Sequence, residues 1–155
     1  MPDTPIVVSR IETTELAAAP ITPGWIVAGA PVARAAELSR SADGTAVSLV
    51  WDCTAGTFDW HFGVDETVHI LDGEVEVSCA GMAARRLQPG DVALFRAGTT
   101  ARWHVPRYVR KLAFCRHALP QPIGFALRAF NRLKGLVRGR PAGMPTPNQA
   151  PAAGR

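Results

Sequence analysis

The sequence predicts an all-β fold, a sandwich or barrel, on three observations. Short runs rich in β-branched and aromatic residues recur from Thr45 to Arg116. Turn dipeptides separate them at fairly even spacing: Asp43-Gly44, Asp72-Gly73, Ala80-Gly81, Pro89-Gly90 and Ala97-Gly98. No segment of helical periodicity interrupts these runs before Pro120.

Taken in order, the elements follow from local chemistry. Pro2, Pro5, Pro20 and Pro23 surround VVSRIETTEL and predict an extended N-terminal arm over 1–23, with one strand or a helical turn near 14–19. Trp25–Val27 reads as a strand stopped by Gly29 and Pro31, and the Ala-rich 32–40 as a strand or a short helix. Thr45–Cys53 is a clear strand. Residues 56–73, GTFDWHFGVDETVHILDG, predict two strands joined at Gly63-Val64-Asp65, with Asp72-Gly73 as a hairpin turn into Glu74–Ser78. Met82–Leu87, Val92–Phe95, Ala101–Val105 and Tyr108–Arg116 complete a domain over 24–118. Beyond it, Ile123, Ala126, Leu127, Phe130, Leu133 and Val137 fall near helical spacing among Arg128, Arg132, Lys134 and Arg138. That pattern predicts a basic amphipathic helix and then a disordered Pro/Gly/Ala-rich tail, over 119–155.

Composition narrows the function classes. Apolar residues make 47% and charged residues 19% of the chain, as in a folded globular protein. The formal net charge of +4 is unevenly divided: residues 1–115 hold ten basic and thirteen acidic residues, whereas 116–155 hold seven basic and none acidic. The body is therefore mildly acidic, and no nucleic-acid partner is expected. The basic helix suits docking on the barrel or a second subunit, or weak contact with an anionic membrane surface or another partner. No apolar run approaches the roughly 20 residues of a membrane span, and MPDTPIVVSR lacks the features of a secretory signal. Cys53, Cys79 and Cys115 are scattered and fit neither a zinc motif nor a disulfide framework, so reduced thiols in a cytoplasmic protein are expected.

The chemistry-bearing residues concentrate in 56–73. Asp59 and His61 share a strand parity and should project together. Folded back as a hairpin, the segment would bring Asp59, His61 and Glu66 to one pocket. His69 has the parity opposite Glu66 and is expected to face outward. Arg102, Arg107, Arg110 and Lys111 read as a basic segment on a solvated strand edge.

His61, four intervening residues, Glu66, six more and Gly73 resemble the first cupin motif, a hairpin carrying a histidine pair, a glutamate and a glycine. Gly90-Asp91, Gly98 and Ala101–Val105 fill the frame of the second, which ends in a metal-binding histidine. Trp60, Asp65-Glu66, Gly90-Asp91, Trp103 and Arg110-Lys111 make residues 45–116 similar to the small cupins related to (S)-ureidoglycine aminohydrolase. The resemblance implies an all-β cupin jelly-roll barrel, a homodimer, and a divalent metal (Mn²⁺, Fe²⁺ or Zn²⁺) serving a ureido- or amide-directed enzyme.

The chain also departs from that pattern. Asp59 replaces the first histidine, Ala101 stands at the histidine of the second motif, and Arg96 stands where proline is usual. His104 lies three residues past Ala101 and should turn to the other face, whereas Trp103 should point into the barrel. Two expectations stay open. Asp59, His61 and Glu66 hold a metal, with Glu66 and His61 as catalytic groups. Alternatively, Asp59, His61, Glu66 and Trp103 line a metal-free pocket that binds a small polar molecule.

Overall fold

The computed structural model describes residues 4–117, together with Phe130 and Arg132, and the regular secondary structure of residues 4–117 is strand apart from one 3₁₀ turn. The strands are β1 Ala17–Ala18, β2 Ile26–Gly29, β3 Ala33–Arg40, β4 Ala46–His61, β5 Asp65–Gly73, β6 Val75–Cys79, β7 Met82–Leu87, β8 Val92–Phe95 and β9 Thr100–Arg116. A 3₁₀ turn at Pro23–Trp25 precedes β2. The ambiguous Ala-rich segment is a strand. In the arm, the Pro5–Arg10 stretch forms no strand; pairing comes only at Ala17 and Ala18, against Ala35 and Arg34. The helix expected after Pro120 lies outside the described residues except at Phe130 and Arg132, which are helical.

Two long strands organise the fold. β4 and β9 run antiparallel over their whole length, from Ala46 opposite Arg116 to His61 opposite Thr100. Their halves nearer Ala46 and Arg116 lie on the main path of the sheet, in the order β1-β3-β4-β9-β5-β8. Their other halves pair with β2 on one side and with β6, then β7, on the other. All nine strands are hydrogen-bonded into one sheet, and its two halves share one hydrophobic core that includes Trp51, Phe58, Phe95 and Trp103.

The two halves of the sheet meet at an irregularity that resets side-chain direction. Thr54 pairs with Tyr108 and Gly56 with Val105, leaving Ala55 opposed to Pro106 and Arg107. Proline has no N–H to give to the ladder, so the regular pairing breaks there. Before the break β4 buries Trp51 and Cys53; after it, the buried or half-buried side is Phe58, Trp60 and Phe62. Cys53 and Phe58 are five positions apart, so the alternation has changed phase.

Two expected hairpins do not form. β9 lies between β4 and β5, so the turn at 63–65 joins strands that are not neighbours. β5 and β6 do not pair either: β5 lies on Val109–Arg116 and β6 on Ala101–His104, so Asp72-Gly73 carries the chain from one half of the sheet to the other. Gly73 has φ +70, and a Cβ there would stand 2.1 Å from the Tyr108 carbonyl oxygen. The neighbouring Glu74 N–H donates to that same oxygen at 3.0 Å. The close approach of backbone to backbone, not a hairpin, explains the glycine.

Candidate functional site

The phase change decides where the expected site residues point. Asp59 and His61 do share a face, but it is the outer one. His61 is exposed, its Nδ1 lies 2.7 Å from Thr100 Oγ1, and its ring stands edge-on to Trp25 at 4.8 Å. Asp59 accepts two hydrogen bonds from Arg102, at 2.8 and 2.9 Å, and these hold its carboxyl below the ordinary range. The energetic reason is simple. Phe58, Trp60 and Phe62 occupy the alternate positions, and burying three large rings outweighs burying two polar groups that would need partners. The structure therefore does not bring Asp59 and His61 to Glu66. His61→Ala is expected to shift unfolding free energy by about 0.5 kcal/mol or less, and Asp59→Ala by a similarly small amount, in urea melts.

Glu66 points inward, and its partner is Lys111. The two are 7% and 4% exposed, with Lys111 Nζ 2.5 Å from Glu66 Oε1. The ammonium also lies over three indoles, 4.6 Å from the Trp103 ring centre, 4.9 Å from Trp51 and 5.8 Å from Trp60. Each ring face is the negative end of a quadrupole, so the cage adds cation–π attraction to the ion pair. Trp51 Nε1 and Trp103 Nε1 are buried without hydrogen-bond partners, so the indoles bring faces, not polar edges, to this centre. Lys111 therefore leaves the basic strand-edge group in which it was expected. Arg102 is spent on Asp59, and Arg110 donates to the Ile11 carbonyl at 2.8 Å.

The remaining expectations sort as strand parity requires. Trp103 points inward, is 1% exposed and stacks on Phe58 at 6.3 Å with an 18° interplanar angle. Ala101, on the same side, is 2% exposed. His104 faces the other way, with Nδ1 2.9 Å from Thr57 Oγ1. His69 is half-buried on the side opposite Glu66. Asp65 accepts from the Ala97 N–H at 2.9 Å, which ties the turn after β8 to the start of β5. The three cysteines are free thiols, and burial pushes Cys53 up to about 12 and Cys115 up to about 11, away from nucleophilic chemistry.

The donor set does not fit a divalent ion. Among the described residues no group of three or more His, Cys, Asp or Glu side chains is placed to hold one. Glu66 is the one inward carboxylate of the expected triad, and an ammonium already neutralises it. The position expected for the second-motif histidine is a methyl group, Ala101. There is, however, an opening. β7 pairs only with β6 and β8 only with β5, and a cavity of about 440 Å³ lies between them, reaching Ala101 and Phe95.

Comparison with known proteins places this architecture. Residues 40–113 match the family model of the EutQ-like cupin domain. The barrel has the cupin fold. Among solved structures, the cupin is similar to a putative ethanolamine utilization protein Q from Salmonella typhimurium LT2, with 24% identity and TM-score 0.50 over 57% of this chain and 72% of that one. It is also similar to the EutQ protein of Clostridium difficile, with 20% identity and TM-score 0.50 over 57% and 64%. A Pseudomonas syringae protein of unknown function from the DUF861 family gives TM-score 0.62 and 22% identity over 67% of this chain, which spans 45% of that protein. These likenesses concern the fold. No protein with a curated description matches the sequence. The family match is to the EutQ-like domain, a coarser placement than the ureidoglycine aminohydrolase group to which the motif wording is similar. Among the described residues of the cupin, no helix is long and apolar enough to cross a membrane.

Proposed function

We propose that this cupin binds a small molecule at the opening between β7 and β8, with no divalent metal at Glu66. One observation carries the reading: the Lys111 ammonium, bonded to the Glu66 carboxylate under three indoles, already provides the cation for this inward acid. A metal ion would have to displace that ammonium and recruit further donors from a wall of Trp, Phe, Val and Ala side chains. The cavity of about 440 Å³ falls within the ordinary size of small-molecule pockets, roughly 300–1,000 Å³. A metalloenzyme acting on a ureido or amide substrate is less well supported. It would need Asp59, His61 and Glu66 on one ion, and they lie on two faces of the barrel.

The test is metal content with thermal stability. Protein purified without chelator is expected to hold only traces of transition metal, and Mn²⁺, Fe²⁺ or Zn²⁺ should leave its melting temperature unchanged. A bound ion would raise that temperature by mass action, by about 2.7 kcal/mol of added stability at a hundredfold excess over Kd. Stoichiometric metal that is lost on Glu66→Gln overturns the reading.

A further inference from the structure

We infer that the opening between β7 and β8 receives a small organic anion with an apolar body, its charge held by Arg85 and Arg96. This rests on the ligand-binding reading above and names the class of ligand.

The floor of the cavity is apolar and part of the core: Val77, Leu87, Phe95 and Ala101 are 3%, 8%, 8% and 2% exposed. The charged residues among its lining are Arg85 and Arg96, both exposed, and no acidic residue joins them. Among the described residues neither guanidinium makes an ion pair. The acid whose charge Arg96 feels is Asp65, already engaged by the Ala97 N–H and Arg116. Two positive groups above a hydrocarbon floor fit a molecule with one anionic end and one greasy end. A guanidinium presents its donors as a fork that matches a carboxylate, and the floor rewards removal of hydrocarbon from water. The same charges disfavour a divalent cation or a basic peptide.

The alternation of the strands explains why the opening reaches so deep. Ala101 faces inward beside Trp103, and where a longer side chain would close the floor it leaves only a methyl group. β6 and β7 are joined by the tight turn at Ala80-Gly81, and β5 and β8 pair from Glu66 opposite Phe95 to His69 opposite Val92. Two paired strands on each side frame a gap that no ladder crosses.

Full-length ¹⁵N-labelled protein titrated with octanoate and benzoate, and separately with octanamide and benzamide, tests the inference. The carboxylates are expected to move the amide resonances of Val77, Leu87 and Ala101, and the amides to bind at least about tenfold more weakly, a difference of about 1.4 kcal/mol. Arg85→Gln/Arg96→Gln should lose the carboxylate response by a similar factor while keeping a dispersed spectrum. The wild-type comparison of acid and amide stands even if that variant does not fold. Amides that bind as tightly as the acids overturn the anion assignment and leave the ligand-binding reading intact. Carboxylates that leave these resonances unmoved overturn it outright, as does a response confined to the β8 edge. Failure of the metal-free reading shows separately, as stoichiometric metal in the same preparation.

Discussion

Replacing Lys111 by methionine is expected to destabilise the protein by about 3–5 kcal/mol, because Glu66 would be left charged, buried and unpaired. The pair is enclosed on all sides the sequence can supply: 4% and 7% exposed, with Trp51, Trp60 and Trp103 around the ammonium. An isolated carboxylate in such surroundings has lost its water and gained nothing in return. Glu66→Gln should be milder than Lys111→Met. It leaves the ammonium with three ring faces and an amide oxygen, but no counter-charge. The double variant Lys111→Met/Glu66→Leu separates pairing from burial. Matched apolar replacements of buried ion pairs range from neutral to stabilising by about 1–4 kcal/mol, so the double variant should recover most of the loss. Urea melts of the wild type, Lys111→Met, Glu66→Leu and the double variant close the cycle. A double variant as weak as Lys111→Met alone would mean that the pair does more than neutralise itself.

Trp103→Ala carries the other large expected effect, a loss of about 3–5 kcal/mol, the range for removing a buried aromatic side chain from a core. Trp103 stacks on Phe58, tilts against Phe95 at 5.4 Å, and meets Trp51 edge-to-face at 6.1 Å. It is also the ring nearest the Lys111 ammonium. The loss therefore has a packing part and an electrostatic part, and the two are not independent of Lys111. Trp103→Phe should cost much less. It keeps a ring face towards the lysine and removes the indole N–H that is buried without a partner. Chemical denaturation of Trp103→Ala, Trp103→Phe and Lys111→Met/Trp103→Ala reads both parts. Strict additivity would remove the cation–π contribution from this description.

Much of the fold was legible because turn chemistry is local. Asp43-Gly44 and Ala80-Gly81 close hairpins as their sequences suggest, with Gly44 and Gly81 at φ +70 and +77. Asp72-Gly73 carries the same local signature but meets a different constraint, the Tyr108 backbone, which is 35 positions away and invisible to a local reading. The site was less legible for one physical reason. The irregularity at Ala55, opposite Pro106-Arg107, changes which parity faces the core. Asp59 and His61 were aligned with Glu66 by spacing, yet Phe58, Trp60 and Phe62 offered the stronger vote for the inside. Lys111 was also readable in principle. It shares a parity with Val109, Ala113 and Cys115, so strand alternation alone turns it inward, and only its charge argued otherwise.

Crystals soaked in Mn²⁺ and measured at a wavelength where manganese scatters anomalously test the central assignment most directly. The expected result is an intact Lys111–Glu66 contact inside the barrel, with no anomalous peak at coordination distance from the Glu66 carboxylate. A manganese ion bound to Glu66, with the Lys111 ammonium swung away from it, would contradict that assignment.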